Sequence, residues 1–198
     1  MKYPTSIQKL IDMFTKLPTV GPKTAERYVF YLLRQTGEDL QKFAQALAEL
    51  KEGVTVCLSC QAISEASPCL ICADSKRDSS LLCLVADTKD MMAIEATSKY
   101  PGKYFILGGT INVIEETKAA DLNLKQLLEK IKTVDIKEAI IALNPNLEGE
   151  TTALYLTKLL KPYKIKVSRL ARGLPSGANL EYADEITIAN ALKYRNIL

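Results

Sequence analysis

Histidine is missing from the 198-residue chain. That absence excludes imidazole general bases, His-dependent nucleophile systems and His-containing metal sites together. Tryptophan is missing as well, so any stacking on a nucleobase falls to Tyr, Phe or Arg. No unbroken apolar run approaches the roughly 20 residues that span a bilayer. The opening MKYPTSIQKL also lacks the apolar stretch of a secretory signal. The expectation is a soluble globular protein of the cytoplasm with no membrane partner. A net charge of +3 creates no strong overall field, so a nucleic-acid partner has to be met by local clusters. Apolar residues, by contrast, make up 47% of the chain. At this length that supplies one good core, or a main domain with small modules.

The pattern changes character along the chain. Residues 5 to 17 place Ile7, Leu10, Ile11, Phe14 and Leu17 on one helical face, and Thr5 with Gln8 has capping-box spacing. Pro18 closes that helix. Pro22 opens a second, over residues 22–33, with Ala25, Val29, Leu32 and Leu33 inward. A third is expected over 39–52, with Leu40, Phe43, Leu47 and Leu50 inward and Gly53 as stop. From Leu81 onward, strand-like runs (LLCLVA, KYFIL, EAIIAL, IKVSRL) alternate with helical patterns near 90–99, 124–132 and 150–160. That rhythm predicts an α/β unit with a mainly parallel sheet. The tail EYADEITIANALKYRNIL is amphipathic and fits either element type.

Between the two regions lies VCLSCQAISEASPCLICADS. Cys57 with Cys60 and Cys69 with Cys72 form two CxxC pairs separated by eight residues. Four thiolates at this spacing suit one tetrahedral zinc in a closed, structural site. Two disulfides are the alternative, disfavoured in a reducing cytoplasm, and a redox dithiol needs only one pair. With no coordination position left for water, such a zinc folds its segment and catalyses nothing. Cys83 sits in a strand-like run and reads as a buried small hydrophobe.

The corner LPTVGPKTAER raises a question of charge. On a helix starting at Pro22, Lys23, Arg27 and Arg34 fall at i, i+4 and i+11 on one side. The free amides around Val20 to Lys23, beside Gly21, lie at a positive helix end, where a phosphate is a natural guest. Contacts of that kind grip backbone and ignore base order. The same spacing also fits a solvated amphipathic helix after a tight turn.

LPTVGPKTAER is similar to the helix-hairpin-helix of DNA-repair proteins. Together with the four-cysteine segment, LCLVADTKDMMAIE, NPNLEGETTALYLTKLLKP and RLARGLPSGANLEYADE, taken in order over essentially the whole chain, it resembles the RecR family of bacterial recombination mediators. The resemblance implies four segments: a helix-hairpin-helix module over 1–53, a four-cysteine zinc finger over 54–76, a Toprim-like α/β domain over 77–173 and an oligomerisation tail over 174–198. It implies a homo-oligomer, a tetrameric ring or a dimer, that clamps DNA without sequence preference at the nucleoid. It also implies work with RecO, in some cases RecF, in loading RecA on gapped DNA coated by single-strand-binding protein. Two departures stand out. Thr19 occupies a position where such hairpins usually carry Gly, which implies a loop that loses either a positive-φ option or close approach to the phosphate. VIEETKAADLNL replaces the family's Gly-rich run after LGGTIN.

The resemblance also frames the question of catalysis. Catalytic Toprim domains hold divalent metal with a Glu after the first strand and a DxD after a later one. The matching positions here are Ala86, Asn144 and Asn146. With three carboxylates missing, two-metal phosphoryl chemistry is not expected. Asp87, Asp90, Glu148 and Glu150 leave room for a weak, non-catalytic metal site. Glu148 and Glu150 also suit a helix N-terminus, or a docking surface for a basic partner such as RecO. Lys161, Lys164, Lys166, Arg169 and Arg172, with no acid among them, read either as a basic track or as a solvated strand end. No GxxxxGK[ST] motif is present, so ATP hydrolysis is not expected. A non-enzymatic clamp therefore stands first. Its alternatives are a metal-dependent Toprim nuclease or primase-like enzyme, and an interaction scaffold whose DNA contact is incidental.

Overall fold

The computed structural model describes residues 3–112 and 119–195. By its contacts the chain falls into two compact units, Met1–Val54 and Thr55–Leu198. The first contains α1 (Thr5–Phe14), α2 (Pro22–Leu32) and α3 (Gly37–Glu49). Ile11, Ala25 and Val29 form its small core, with Ile7, Phe14 and Val20 packed around them. The expected capping box does not form. α1 starts with Pro4 as its N-cap, which places Thr5 inside the first turn, and the Gln8 amide donates instead to Asp12 at 2.9 Å. α1 and α2 also end sooner than the periodicity suggested, so Leu17 and Leu33 are exposed.

α3 begins two residues before the expected Asp39, because the Thr36 hydroxyl accepts from the Asp39 amide at 3.1 Å and caps the helix there. None of its residues is buried. Leu40, Phe43, Leu47 and Leu50, expected inward, are 36, 45, 59 and 65% exposed. The apolar stripe is real, but the first unit does not bury it.

The second unit is built on one parallel sheet. Its strands are β3 (Asp78–Val85), β4 (Gly102–Ile106), β5 (Glu138–Ala142) and β6 (Lys166–Arg169), in the order β4-β3-β5-β6. All four expected runs are strands. Central β3 is apolar without alternation, from Leu82 to Val85, because both of its faces are covered. Leu82 and Leu84 face one core with Leu127 and Ile131 of α6 (Leu124–Thr133) and Leu156 and Leu160 of α7 (Leu147–Leu160). Cys83 and Val85 face the other, with Tyr104, Ile106 and Met91 of α5 (Thr88–Glu95).

That second face is completed by the cysteine-rich segment, a short hairpin of β1 (Thr55–Val56) and β2 (Ile63–Ser64) followed by the one-turn α4 (Leu70–Ala73). Cys57, Cys60 and Cys69 belong to the same buried cluster as Cys83. The ambiguous tail resolves into a 3-10 turn at Leu180–Tyr182 and α8 (Glu185–Lys193), which Asp184 caps. The first half of the VIEETKAADLNL departure, residues 113–118, lies outside the described residues. Among the described residues, no helix is long and apolar enough to cross a membrane.

Candidate nucleic-acid interface and metal centre

Helix ends divide into two kinds. α3, α5, α7 and α8 are each closed by a side chain, from Thr36, Asp87, Asn146 and Asp184 respectively. α1, α2, α4 and α6 are not; at α2, Gly21 is the N-cap, no side chain accepts there, and the first turn holds no acid. A Cβ built on Gly21 meets nothing within 4 Å, and its φ of −81° is ordinary, so no feature of the chain itself demands glycine. The first-turn amides are left as donors at the positive end of an 11-residue helix, open to an external anion.

Lys23 and Arg27 are exposed, one turn apart, beside this end, and neither forms an ion pair among the described residues. The neighbouring Glu26 is occupied by the Tyr3 hydroxyl. Arg34, expected on the same helical face, lies beyond the last residue of α2, roughly 16 Å along the axis from Lys23. The structure brings Gly21, Lys23 and Arg27 together at the corner and leaves Arg34 at the far end.

Thr19 corrects the expectation set for it. It takes a φ of 65°, the left-handed conformation, despite its branched Cβ, and its hydroxyl donates to the Pro18 carbonyl at 2.6 Å. The loop keeps the turn and bears strain of about 1–3 kcal/mol. Thr19→Gly is expected to relieve it and raise the stability of the N-terminal unit by about 1 kcal/mol. Urea unfolding followed by circular dichroism measures this, and a lower midpoint would contradict the strained turn.

The four cysteine sulfurs all lie within 4.8 Å of one another, and Cys60 Sγ is 3.7 Å from Cys69 Sγ. A tetrahedron of sulfurs each about 2.3 Å from zinc has edges of roughly 3.8 Å, so the set fits such an ion. The backbone is arranged for thiolates, with the Cys69 amide donating to Cys57 Sγ at 3.3 Å. Hydrogen bonding from Cys60 sets Cys72 down to about 5, and the same contact pushes Cys60 upward. Cys83 is not part of the set: burial raises its thiol to about 12. Among the described residues, this is the one converging group of three or more Cys or acidic side chains.

Lysines tie the metal segment to the sheet. Lys103 of β4 donates to the carbonyls of Ile71, Cys72 and Asp74 at 2.9, 3.1 and 2.6 Å, where α4 ends. Lys130 of α6 reaches the Ser59 carbonyl at 3.0 Å and its hydroxyl at 3.1 Å. Neither contact has a local signal, since the partners are 29 to 71 residues apart.

At the carboxyl ends of the strands, Ala86 follows β3, while Asn144 and Asn146 follow β5. The polar residues there already serve the fold. Asp87 accepts from the Asp90 amide at 2.9 Å, capping α5, and burial together with the charge of Asp87 raises the Asp90 carboxyl. Asn146 accepts from the Gly149 amide at 2.9 Å, and a Cβ on Gly149 would stand 1.9 Å from the Asn144 carbonyl, so only glycine fits that turn. A crevice of about 280 Å³ opens between these loops, lined by Asp90, Asn144 and Arg172 among others. Its walls come from α5, from the end of β5 with the loop after it, and from the segment that follows β6.

Glu148 and Glu150 sit in the first turn of α7. Glu150, expected as a free docking acid, is held by Arg169, at 3.2 Å, and by Arg172. The basic stretch is correspondingly less free than its sequence suggested. Lys166 and Ser168 share a strand side, and both bind Glu138.

Comparison with known proteins covers nearly all of the chain. Family models match for the Toprim domain over residues 80–171, for the RecR helix-hairpin-helix over 7–51 and for the RecR C-terminal segment over 173–196. A protein of Bifidobacterium adolescentis named Recombination protein RecR is 49% identical over 195 residues, covering 98% of each chain. One of the same name from Staphylococcus aureus is 47% identical over the same share of both.

Proposed function

Because the chain belongs to the RecR family of recombination proteins, we propose that it acts as a non-enzymatic DNA clamp. In this reading it mediates repair by working with RecO, and with RecF where that is present, to load RecA onto gapped DNA coated by single-strand-binding protein. Such a clamp grips phosphates, so it holds any base sequence equally. The observation that carries the reading is the α2 N-terminus, uncapped and acid-free, beside Lys23 and Arg27, which have no ion-pair partner among the described residues. Backbone amides and two cations at one corner match a phosphate, and a contact to phosphate carries no base sequence. Arg34 would touch a different part of the duplex.

Segments 1–53, 54–76, 77–173 and 174–198 would then serve as DNA grip, metal module, scaffold and subunit contact. One zinc per chain is the natural occupant of the four thiolates. Glu148, with Glu150 beside it, offers a basic partner such as RecO a docking point.

The bare stripe on α3 supports a homo-oligomer, since apolar side chains in a row mark a surface meant to be covered. Phe43→Glu with Leu47→Glu is expected to dissociate the assembly into single chains, read as mass by light scattering. An unchanged mass would remove α3 from the subunit contact.

The reading is tested by incubating labelled duplex and gapped DNA with the protein, in Mg2+ and in chelator, and following retention and strand length in one gel. Intact, retained DNA is expected in both. Strands shortened only with Mg2+ would establish the metal-dependent enzyme instead.

A further inference from the structure

Glu150 and the two arginines at the end of β6 come from distant parts of the chain and share one ion-pair cluster. Glu150 rises from the first turn of α7, Arg169 is the last residue of β6, and Arg172 follows in the next loop. One carboxylate takes both guanidiniums, Arg169 on Oε2 and Arg172 on Oε1. The hollow lined by the trio holds only about 20 Å³, room for a water and for nothing larger. On its outer side Arg172 borders two open clefts, the crevice of about 280 Å³ and a second of about 500 Å³ that reaches Asp184 and Asn190. Arg172 thus stands at the border of open space and Arg169 at the exposed end of β6, while one carboxylate cancels half of their charge.

We propose that Arg169 and Arg172 form a second DNA-phosphate contact site, masked by Glu150 in the free chain and exposed when that carboxylate is engaged elsewhere. This rests on the DNA-clamp reading above and adds a regulated contact to it.

The side chains of Arg169, Glu150 and Arg172 are 38, 36 and 23% exposed, so the pairing is a surface one. Ion pairs of that kind contribute little net stability and exchange readily for a competing partner. Guanidinium is also the side chain best shaped for phosphate, and two of them three residues apart present adjacent forks. Finally, the arginines have one acid between them, whereas Lys166 keeps its own in Glu138 at 2.9 Å. Loss of Glu150 therefore frees two cations and leaves the Lys166 pair in place. A basic partner docking on Glu150 would compete for the same carboxylate, which couples docking to DNA grip.

Glu150→Gln, close in shape to the native side chain, tests this without any partner protein. Duplex DNA affinity is measured across about 50 to 200 mM salt for the wild type, for Glu150→Gln, for Glu129→Gln as an equal charge change at an exposed site of α6, and for Glu150→Gln combined with Arg169→Gln and Arg172→Gln. Thermal midpoints confirm that each is folded. Glu150→Gln is expected to bind more tightly at low salt and to steepen the salt slope by nearly two, losing roughly tenfold more affinity over that range than the wild type. Glu129→Gln is expected to keep the wild-type slope, and the triple variant to return to it.

A salt-sensitive wild type whose slope Glu150→Gln leaves unchanged overturns the masked site and leaves the clamp standing. So does a gain that survives loss of both arginines. A wild type with no salt-sensitive duplex binding overturns the clamp reading, and the masked site with it.

Discussion

Lys23→Glu with Arg27→Glu is expected to lower duplex DNA affinity about a hundredfold or more near 0.1 M salt, and to flatten the salt dependence by about two. Each cation that neutralises a phosphate releases a counterion, so losing two contacts removes two increments of slope. Reversing the charges adds repulsion at the same corner, which is why the loss exceeds that of simple truncation. Both side chains are exposed and without ion-pair partners among the described residues. Folding should therefore be unaffected, and the thermal midpoint should match the wild type. Arg34→Glu alone is expected to have a milder effect, since Arg34 lies past the end of α2 and away from the open amides. Titration by fluorescence anisotropy at several salt concentrations reads both quantities at once. Unchanged affinity and slope in the double variant would show that the corner only turns the chain.

The second large effect concerns the metal cluster. Cys57→Ser is expected to abolish stoichiometric zinc and lower the thermal midpoint by more than about 10 °C. Structural zinc contributes on the order of 10 kcal/mol in isolated fingers, and each kcal/mol moves a domain of this size by about 2–4 °C. The loss should spread beyond residues 54–76, because Cys57, Cys60 and Cys69 are part of the core that covers Cys83, Val85 and Tyr104. DNA retention should fall in step with unfolding, not at one contact selectively. Cys83→Ser supplies the comparison: it too is buried, at 2% exposure, but it should retain one zinc per chain. Metal analysis with a melting curve checks the pair. A folded, metal-free Cys57→Ser protein with a normal midpoint would sink the structural role.

Periodicity made much of this molecule legible in advance of its structure. The unbroken apolar run of β3 announced a strand, and the CxxC pairs announced their convergence, since ligand spacing is a local property. α3 shows where that legibility stops. Leu40, Phe43, Leu47 and Leu50 were placed on one side correctly, yet a stripe of apolar residues does not say whether its cover belongs to the same chain. Thr19 is a different kind of miss, because propensity argues against a branched residue at positive φ and the surrounding turn overrides it. The Glu150 trio and the Lys103 clasp were invisible for a third reason. Their partners are brought together only by the crossovers of the sheet, and no sequence spacing records those.

The position of the cysteine segment also sets an order of assembly. Its last ligand, Cys72, leaves the ribosome before β3 and long before β5, the strand that pairs with it. The thiols that will close one face of the sheet therefore exist for a time with no sheet to shelter them. Metal capture at that stage would give the growing chain a finished surface on which β3 and β4 can settle. If the ion is the proposed zinc, a cell short of it would accumulate newly made chains with unprotected thiols, while molecules completed earlier, whose cysteines already pack in one cluster with Tyr104 and Met91, would be spared.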